Sequence, residues 1–372
     1  MRTDYILLFL AIIMQQVHPI FVCIFFAVIL LRDVFYRRTY HAFNYNSLLV
    51  IFIFALFSFY GYTNSNLTIY NAFWYAVPSV FAIFIGQNFS LKMKSQEDIL
   101  AFLFFLAIVI AIPHVCITLG DIFQNGLVNP KRILSIAGYG DEQRRTTART
   151  VELSLAISGI SAIFMKSLYA PKRLTYALVS LSIIAELCTL HFVSRTGISL
   201  LLIALLVGFF ITKRNIKQSF IVLAMMLLAC IIFENSELFQ IFSKREITGS
   251  SIADAGGRTK RWAMGFYLLF EKPLGYNIDG WYAHNFWLDF GRVGGLISFI
   301  LLSIFSFIQL LMSYKLRYAQ FIDEYNYLMI AVFTIIFVCT MFTEPIHSGA
   351  PLYMYTYFMF CGFVYGLKSL YK

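Results

Sequence analysis

The sequence predicts an all-α membrane protein, and three observations lead to that class. Sixty per cent of the 372 residues are hydrophobic and only 13% are charged, with a mean hydropathy of +0.75, well above the roughly half-apolar composition of a soluble domain. The apolar residues fall into blocks of about 17 to 22, the length needed to cross about 30 Å of hydrocarbon at a helical rise of about 1.5 Å per residue. Short basic loops separate the blocks, leaving no room for a large soluble unit. Residues 1–372 therefore read as one integral membrane domain with a single long polar loop at 235–292.

In chain order, spans are expected at 45–62, 70–89, 98–119, 150–168, 174–192, 197–212, 217–234, 293–312, 326–343 and 351–367. A 27-residue apolar stretch, Tyr5 to Leu31, precedes them. It is either one tilted helix or two short legs broken at His18-Pro19, because proline removes a helical hydrogen bond; the count is 11 or 12. Residues 1–31 carry no small-residue cleavage site and read as the first membrane segment, not a removable signal. The six cysteines lie in or beside apolar blocks without CxxC spacing, as core residues do.

Basic residues gather in alternate loops: Arg32, Arg37 and Arg38; Lys92 and Lys94; Lys166, Lys172 and Arg173; Lys213, Arg214 and Lys217; Lys315 and Arg317; Lys368 and Lys372. The positive-inside rule makes those loops cytoplasmic and every span alternates without conflict. Four polar stretches then face outward: 120–149, the turn 193–196, the long loop 235–292, and 344–350. Those stretches nonetheless keep Lys131, Arg132, Arg144, Arg145, Arg149, Arg195, Arg258, Lys260, Arg261 and Arg292. Cations retained where the rule disfavours them suggest an anionic partner, and the planar fork of arginine suits phosphate. The other reading pairs these arginines with acids of the loops.

Three outer segments carry residues suited to chemistry. In "GGRTKRWAMGFYLLFEKPLGYN", Trp262, Phe266 and Phe270 recur every four residues and Pro273 stops the pattern. Arg258 and Arg261 share one face of its first turn, where unpaired N–H groups and the helix dipole attract an anion. An interfacial helix whose cations meet lipid headgroups is the alternative. "HFVSRTGISLL" places Arg195 in a tight turn between rigid helix ends. "WYAHNFWLDFGRVGG" carries His284, the only histidine of the long loop, with a pKa suited to accepting a proton near neutrality. Asn285 reads as an orienting or sugar-binding partner, while Asp289 and Arg292 pair with each other or cap the span. Glu152, Glu186, Glu344 and His347 are weaker candidates. No HExxH, DxD, Cys/His array, P-loop or GxGxxG is present, so neither a metal nor nucleotide-driven chemistry is expected.

The order "SRTG", "GGRTKRW", "EKPLGYN", "AHNFWLDFGRVGG" on one side resembles the bacterial O-antigen polymerase/ligase family of polytopic glycosyltransferases, over roughly residues 185–312. The resemblance implies a C-type glycosyltransferase-like fold in the bacterial inner membrane. The implied site, on the periplasmic face, takes a glycan from undecaprenyl diphosphate without metal or cofactor. It assigns Arg195 and Arg258, with Arg261 beside them, to the diphosphate and His284 to the transferred glycan. The segment before the span at 150 reads "RRTTARTVELS" where the family offers an Arg-then-Asn pattern, which bears on Arg145 and Arg149 as substrate contacts. Trp281 is a candidate to stack on a sugar face. A polymerase acting on a second lipid-linked repeat is the leading expectation, and a ligase acting on lipid A core the close alternative. A chain-length regulator and membrane lipid are the further partners expected, and nucleic acid is not. A transporter or flippase is the reading of another class; no internal repeat supports it.

Overall fold

The computed structural model describes residues 2–14, 20–37, 44–126, 172–191, 195–211, 258–277, 282–343 and 351–370. Helices dominate them: α1 (Arg2–Met14), α2 (Ile20–Arg32, continued by a π-helical turn Asp33–Arg37), α3 (Tyr45–Asn64), α4 (Ile69–Leu91), α5 (Gln96–Asn125) and α6 (Lys172–His191). Then come α7 (Arg195–Ile211), α8 (Arg258–Glu271), α9 (Phe286–Lys315), α10 (Glu324–Thr343) and α11 (Pro351–Leu370). There is no strand among the described residues. Four helices there are long and apolar enough to cross a membrane: α3, α4, α9 and α10. The expected spans at 150–168 and 217–234 lie outside the described residues.

The apolar stretch Tyr5–Leu31 is not one helix: α1 ends at Met14 and α2 starts at Ile20. Each has 13 residues, about 20 Å at helical rise, short of a full crossing alone. They pack as a hairpin, because Asp4 near the start of α1 accepts from Arg32 at the end of α2 at 3.2 Å. Lys92, expected as a charge in a cytoplasmic loop, is instead 9% exposed. Its Nζ donates to both carboxylate oxygens of Asp33 at 2.6 and 2.7 Å and lies 3.6 Å from Asp4. Asn88 also donates to Asp33. Desolvated ions survive only when paired and hydrogen-bonded, and this cluster ties α1, α2 and α4 together at one end of the bundle.

Between helices in lipid there is little hydrophobic drive, so close backbone approach and hydrogen bonds take over. The crossing of α4 and α11 shows both. Gly362 and Gly366 of "GFVYG" face Ile83 and Ser90, and a Cβ on Gly86 would run into the Met359 carbonyl. Pro78 inside α4 frees the carbonyl of Trp74, four residues back. The buried Tyr355 hydroxyl donates to that carbonyl at 2.5 Å, so the defect in one helix is filled from the other. At the Asp33 end of the bundle Gln96 donates to the Phe321 carbonyl and accepts from Asn326 at 2.7 Å, joining α5 to α10.

Helix α8 lies against the head of α9. Its buried residues are Gly265, Leu268 and Leu269, of which Leu269 packs with Ala283 and Leu288, flanked by Trp262, Leu296 and Phe299. The aromatic recurrence read from sequence divides: Trp262 sits near Phe342, whereas Phe266 and Phe270 are 51% and 60% exposed. Helix α9 begins at Phe286, ahead of the span expected from 293, because Asn285 caps it. It kinks at Gly295, whose φ is +80°. The kink opens backbone groups of the ladder, and the turn after α8 takes them: Tyr276 N–H donates to Arg292 O at 2.8 Å and Leu296 N–H to Pro273 O at 2.8 Å. Ser65 Oγ donates to Val293 O at 3.0 Å. A Cβ on Gly295 would lie 2.6 Å from Pro273 O, so both the dihedral and the space demand glycine.

Candidate functional site

Where α8 and α9 begin, two segments of chain meet. Arg258 and Arg261 occupy the first turn of α8, both half-buried. The positive dipole end of that turn adds to their charge. The Arg261 guanidinium lies 5.8 Å from the centre of the Tyr282 ring, within cation–π range. Tyr282 in turn meets the imidazole of His284 edge-on at 4.4 Å. Arginine, tyrosine and histidine thus touch in series, although Arg261 and His284 belong to separate segments.

His284 has φ +53°, a left-handed conformation that costs an L-residue roughly 1–2 kcal/mol. Such a residue persists only where its surroundings hold it. The holder is Asp289, buried in the first turns of α9 with 0% exposure. Its Oδ1 accepts from Ala283 N–H at 2.9 Å and its Oδ2 from Asn285 N–H at 3.4 Å. The carboxylate therefore grips the amides on both sides of His284. Asn285 adds the opposite bond, its side-chain oxygen accepting from Leu288 N–H at 3.1 Å. This reciprocal pattern resembles a capping box with the acid moved one residue further into the helix. Arg292 Nε stands 3.4 Å from Asp289 Oδ1 and is itself 3% exposed.

The electrostatics follow from this geometry. His284 is pushed down from 6.5 to about 4, first by burial and then by the charges of Arg258 and Arg261. Its Nδ1 is buried and has no hydrogen-bond partner among the described residues. At neutral pH the ring is neutral, a proton acceptor surrounded by cations. An anion on the two guanidinia would remove two of the three causes of the shift, making the imidazole more basic when the site is occupied.

Of the residues expected from sequence, Arg258, Arg261 and His284 are brought together. Asn285 lies beside them, with its oxygen committed to the helix cap and 4% exposure. Arg195 is the first residue of α7, and only its backbone belongs to the described structure. Helix α7 packs on α10, whose Phe342 meets Trp262 at 6.3 Å and Trp287 at 4.9 Å. Arg145, Arg149 and Trp281 lie outside the described residues, as do Glu152, Glu344 and His347.

Two features escaped sequence reasoning. Asp289 with Arg292 was legible as an i,i+3 pair, but its grip on the amides of Ala283 and Asn285 was not. The second is the contact of His191 Nε2 with Asp121 Oδ2 at 2.7 Å, between the last residue of α6 and the final turns of α5. Span alternation puts both at one end, the only hint the sequence offers. No protein-family model matches the chain, and no curated protein is significantly similar to it.

Proposed function

We propose that the protein is a polytopic glycosyltransferase of bacterial surface-polysaccharide assembly. In this reading it is a polymerase that moves a glycan from undecaprenyl diphosphate to a sugar hydroxyl of another lipid-linked repeat. The observation that carries it is the convergence of Arg258 and Arg261 with His284 at one end of the helical bundle, Arg261 lying over the Tyr282 ring that meets the imidazole and both cations acting on it. The ordered motifs of residues 185–312 support the same reading. By the positive-inside rule the opposite end, with Arg32, Lys94, Lys315 and Arg317, is cytoplasmic. The site then faces the periplasm across the 11 or 12 spans expected in the inner membrane.

The chemistry balances without a covalent enzyme intermediate. The acceptor hydroxyl oxygen bonds to C1 of the donor sugar while the bond from C1 to the diphosphate oxygen breaks, inverting the anomeric carbon. The hydroxyl proton passes to His284, and undecaprenyl diphosphate leaves with the bonding pair. Negative charge grows on the leaving oxygen, where Arg258 and Arg261, joined by Arg195, stabilise it more in the transition state than in the ground state. General-base catalysis by a positioned imidazole contributes about 10² to 10⁴ in rate.

The test is reconstitution of the full chain in lipid with a defined undecaprenyl-diphosphate oligosaccharide. A polymerase yields a ladder of repeats with no lipid A present. Product formed only after addition of lipid A core would make the protein a ligase with the same donor chemistry. Absence of transfer with either acceptor would overturn the glycosyltransferase reading.

A further inference from the structure

Resting on the reading of His284 as base, we propose that Asp289, anchored by Arg292, is the positioning residue that holds the imidazole of His284 in the site and locks it to the arginine helix. The carboxylate binds the amides of Ala283 and Asn285 but leaves the residue between them to point its ring at Tyr282. Four residues after the N-cap Asn285, on a helix whose side chains lean toward its N-terminus, an acid reaches those two amides. It is completely buried, so no water competes for either oxygen.

Arg292 makes the arrangement a junction. Its side chain holds Asp289 at 3.4 Å, while its carbonyl accepts from Tyr276 N–H at 2.8 Å and from Ser65 Oγ at 3.3 Å. Tyr276 belongs to the turn that ends α8, the helix carrying Arg258 and Arg261. One residue thereby ties the base to the cations through two short connections, one by side chain and one by backbone. Its placement next to the kink at Gly295 is what frees that carbonyl. The registration of the two halves of the site depends on this node, not on contact between the halves alone.

The experiment measures His284 directly. In the full chain reconstituted in lipid, diethyl pyrocarbonate modification of His284 is followed by peptide mass spectrometry, with His191, paired to Asp121, as internal reference. Wild type should modify slowly at His284. Asp289→Ala should speed that modification about tenfold, the scale of losing a buried hydrogen-bonded anchor, with His191 unchanged. Asp289→Asn, which keeps one acceptor oxygen, should fall between. In the transfer assay Asp289→Asn should lower kcat by about 10²-fold, the effect of a misplacement near 1 Å, with little change in KM for the lipid-linked donor. Should Asp289→Ala fail to fold, Arg292→Met should raise the His284 modification rate in the same direction. A His284 rate within about twofold of wild type in the folded variants overturns the positioning role. Transfer activity surviving in His284→Ala overturns the base reading instead, and leaves the modification result to stand on its own.

Discussion

The two ends of the helical bundle use charge in opposite ways. At one, Lys92, Asp33, Asp4 and Arg32 are drawn into a buried cluster in which the closest contacts are 2.6 to 3.2 Å. Gln96, Asn326 and Asp323 close a second polar knot beside it. At the other end two arginines of the α8 first turn stand around an imidazole that burial and their own charge keep neutral, with Nδ1 lacking a partner among the described residues. A buried charge needs its partner inside the fold, and the first end supplies it. The second end concentrates positive charge and a proton-accepting nitrogen in one place, and its backbone is held in a left-handed conformation at His284. Ion pairing thus serves cohesion at both poles, through Lys92 with Asp33 at one and Arg292 with Asp289 at the other, and only the second adds two half-buried arginines beside an imidazole.

Substitutions at each pole should separate these two uses of charge. His284→Ala should reduce transfer by about 10² to 10⁴, read as loss of the ladder, with little change in thermal stability; retained activity would remove the functional pole. Lys92→Ala should do the reverse. Losing the two Nζ bonds to buried Asp33, while Asp4 keeps Arg32, should destabilise the bundle by about 3–5 kcal/mol, seen in detergent or lipid unfolding, while the activity of the folded fraction persists. Arg258→Lys keeps the charge and loses the fork, so kcat/KM should fall about tenfold; wild-type activity would count against diphosphate recognition at α8.

The smallest effect concerns the electrostatics of the imidazole. His284 titrates near 4 in the folded protein against 6.5 for a free imidazole, so the unfolded chain binds more protons between those values. The contribution of His284 to stability, read as the difference between wild type and His284→Ala, should fall on acidification through that window and recover as pH rises toward 6.5. The acid limb of kcat/KM assigned to His284 should lie near 4 in wild type. Arg261→Gln should move that limb upward by a fraction of a pH unit, because Arg261 is the smallest of the three causes. No movement would show that the guanidinium does not act on His284.

Much of this was legible in the chain. Arg258 and Arg261 could be assigned to one helical face because periodicity alone fixes i,i+3 neighbours. His284 stood out as the only histidine of the long loop, a side chain whose ordinary pKa suits proton transfer near neutrality. The amphipathic segment ending at Pro273 is a helix, as its periodicity indicates, but its aromatic recurrence did not identify the buried side. Gly265, Leu268 and Leu269 are buried, Leu269 against Ala283 and Leu288, while Phe266 and Phe270 are exposed. At a membrane surface hydrophobicity does not distinguish a side that meets protein from one that meets lipid. The break between α1 and α2 was one of two readings of His18-Pro19, and the contact of Asp4 with Arg32 decides it.

Composition and repeats within a few residues were enough to establish the class, the spacing of the apolar helices and the residue types able to do chemistry, because these properties are local. Packing in three dimensions was needed to make Lys92 a buried ion partner, to bring Tyr355 to the gap left by Pro78, and to set the backbone of His284 with Asp289. Each of these joins groups whose pairing depends on a kink, a crossing or a left-handed residue, and no local periodicity encodes such contacts.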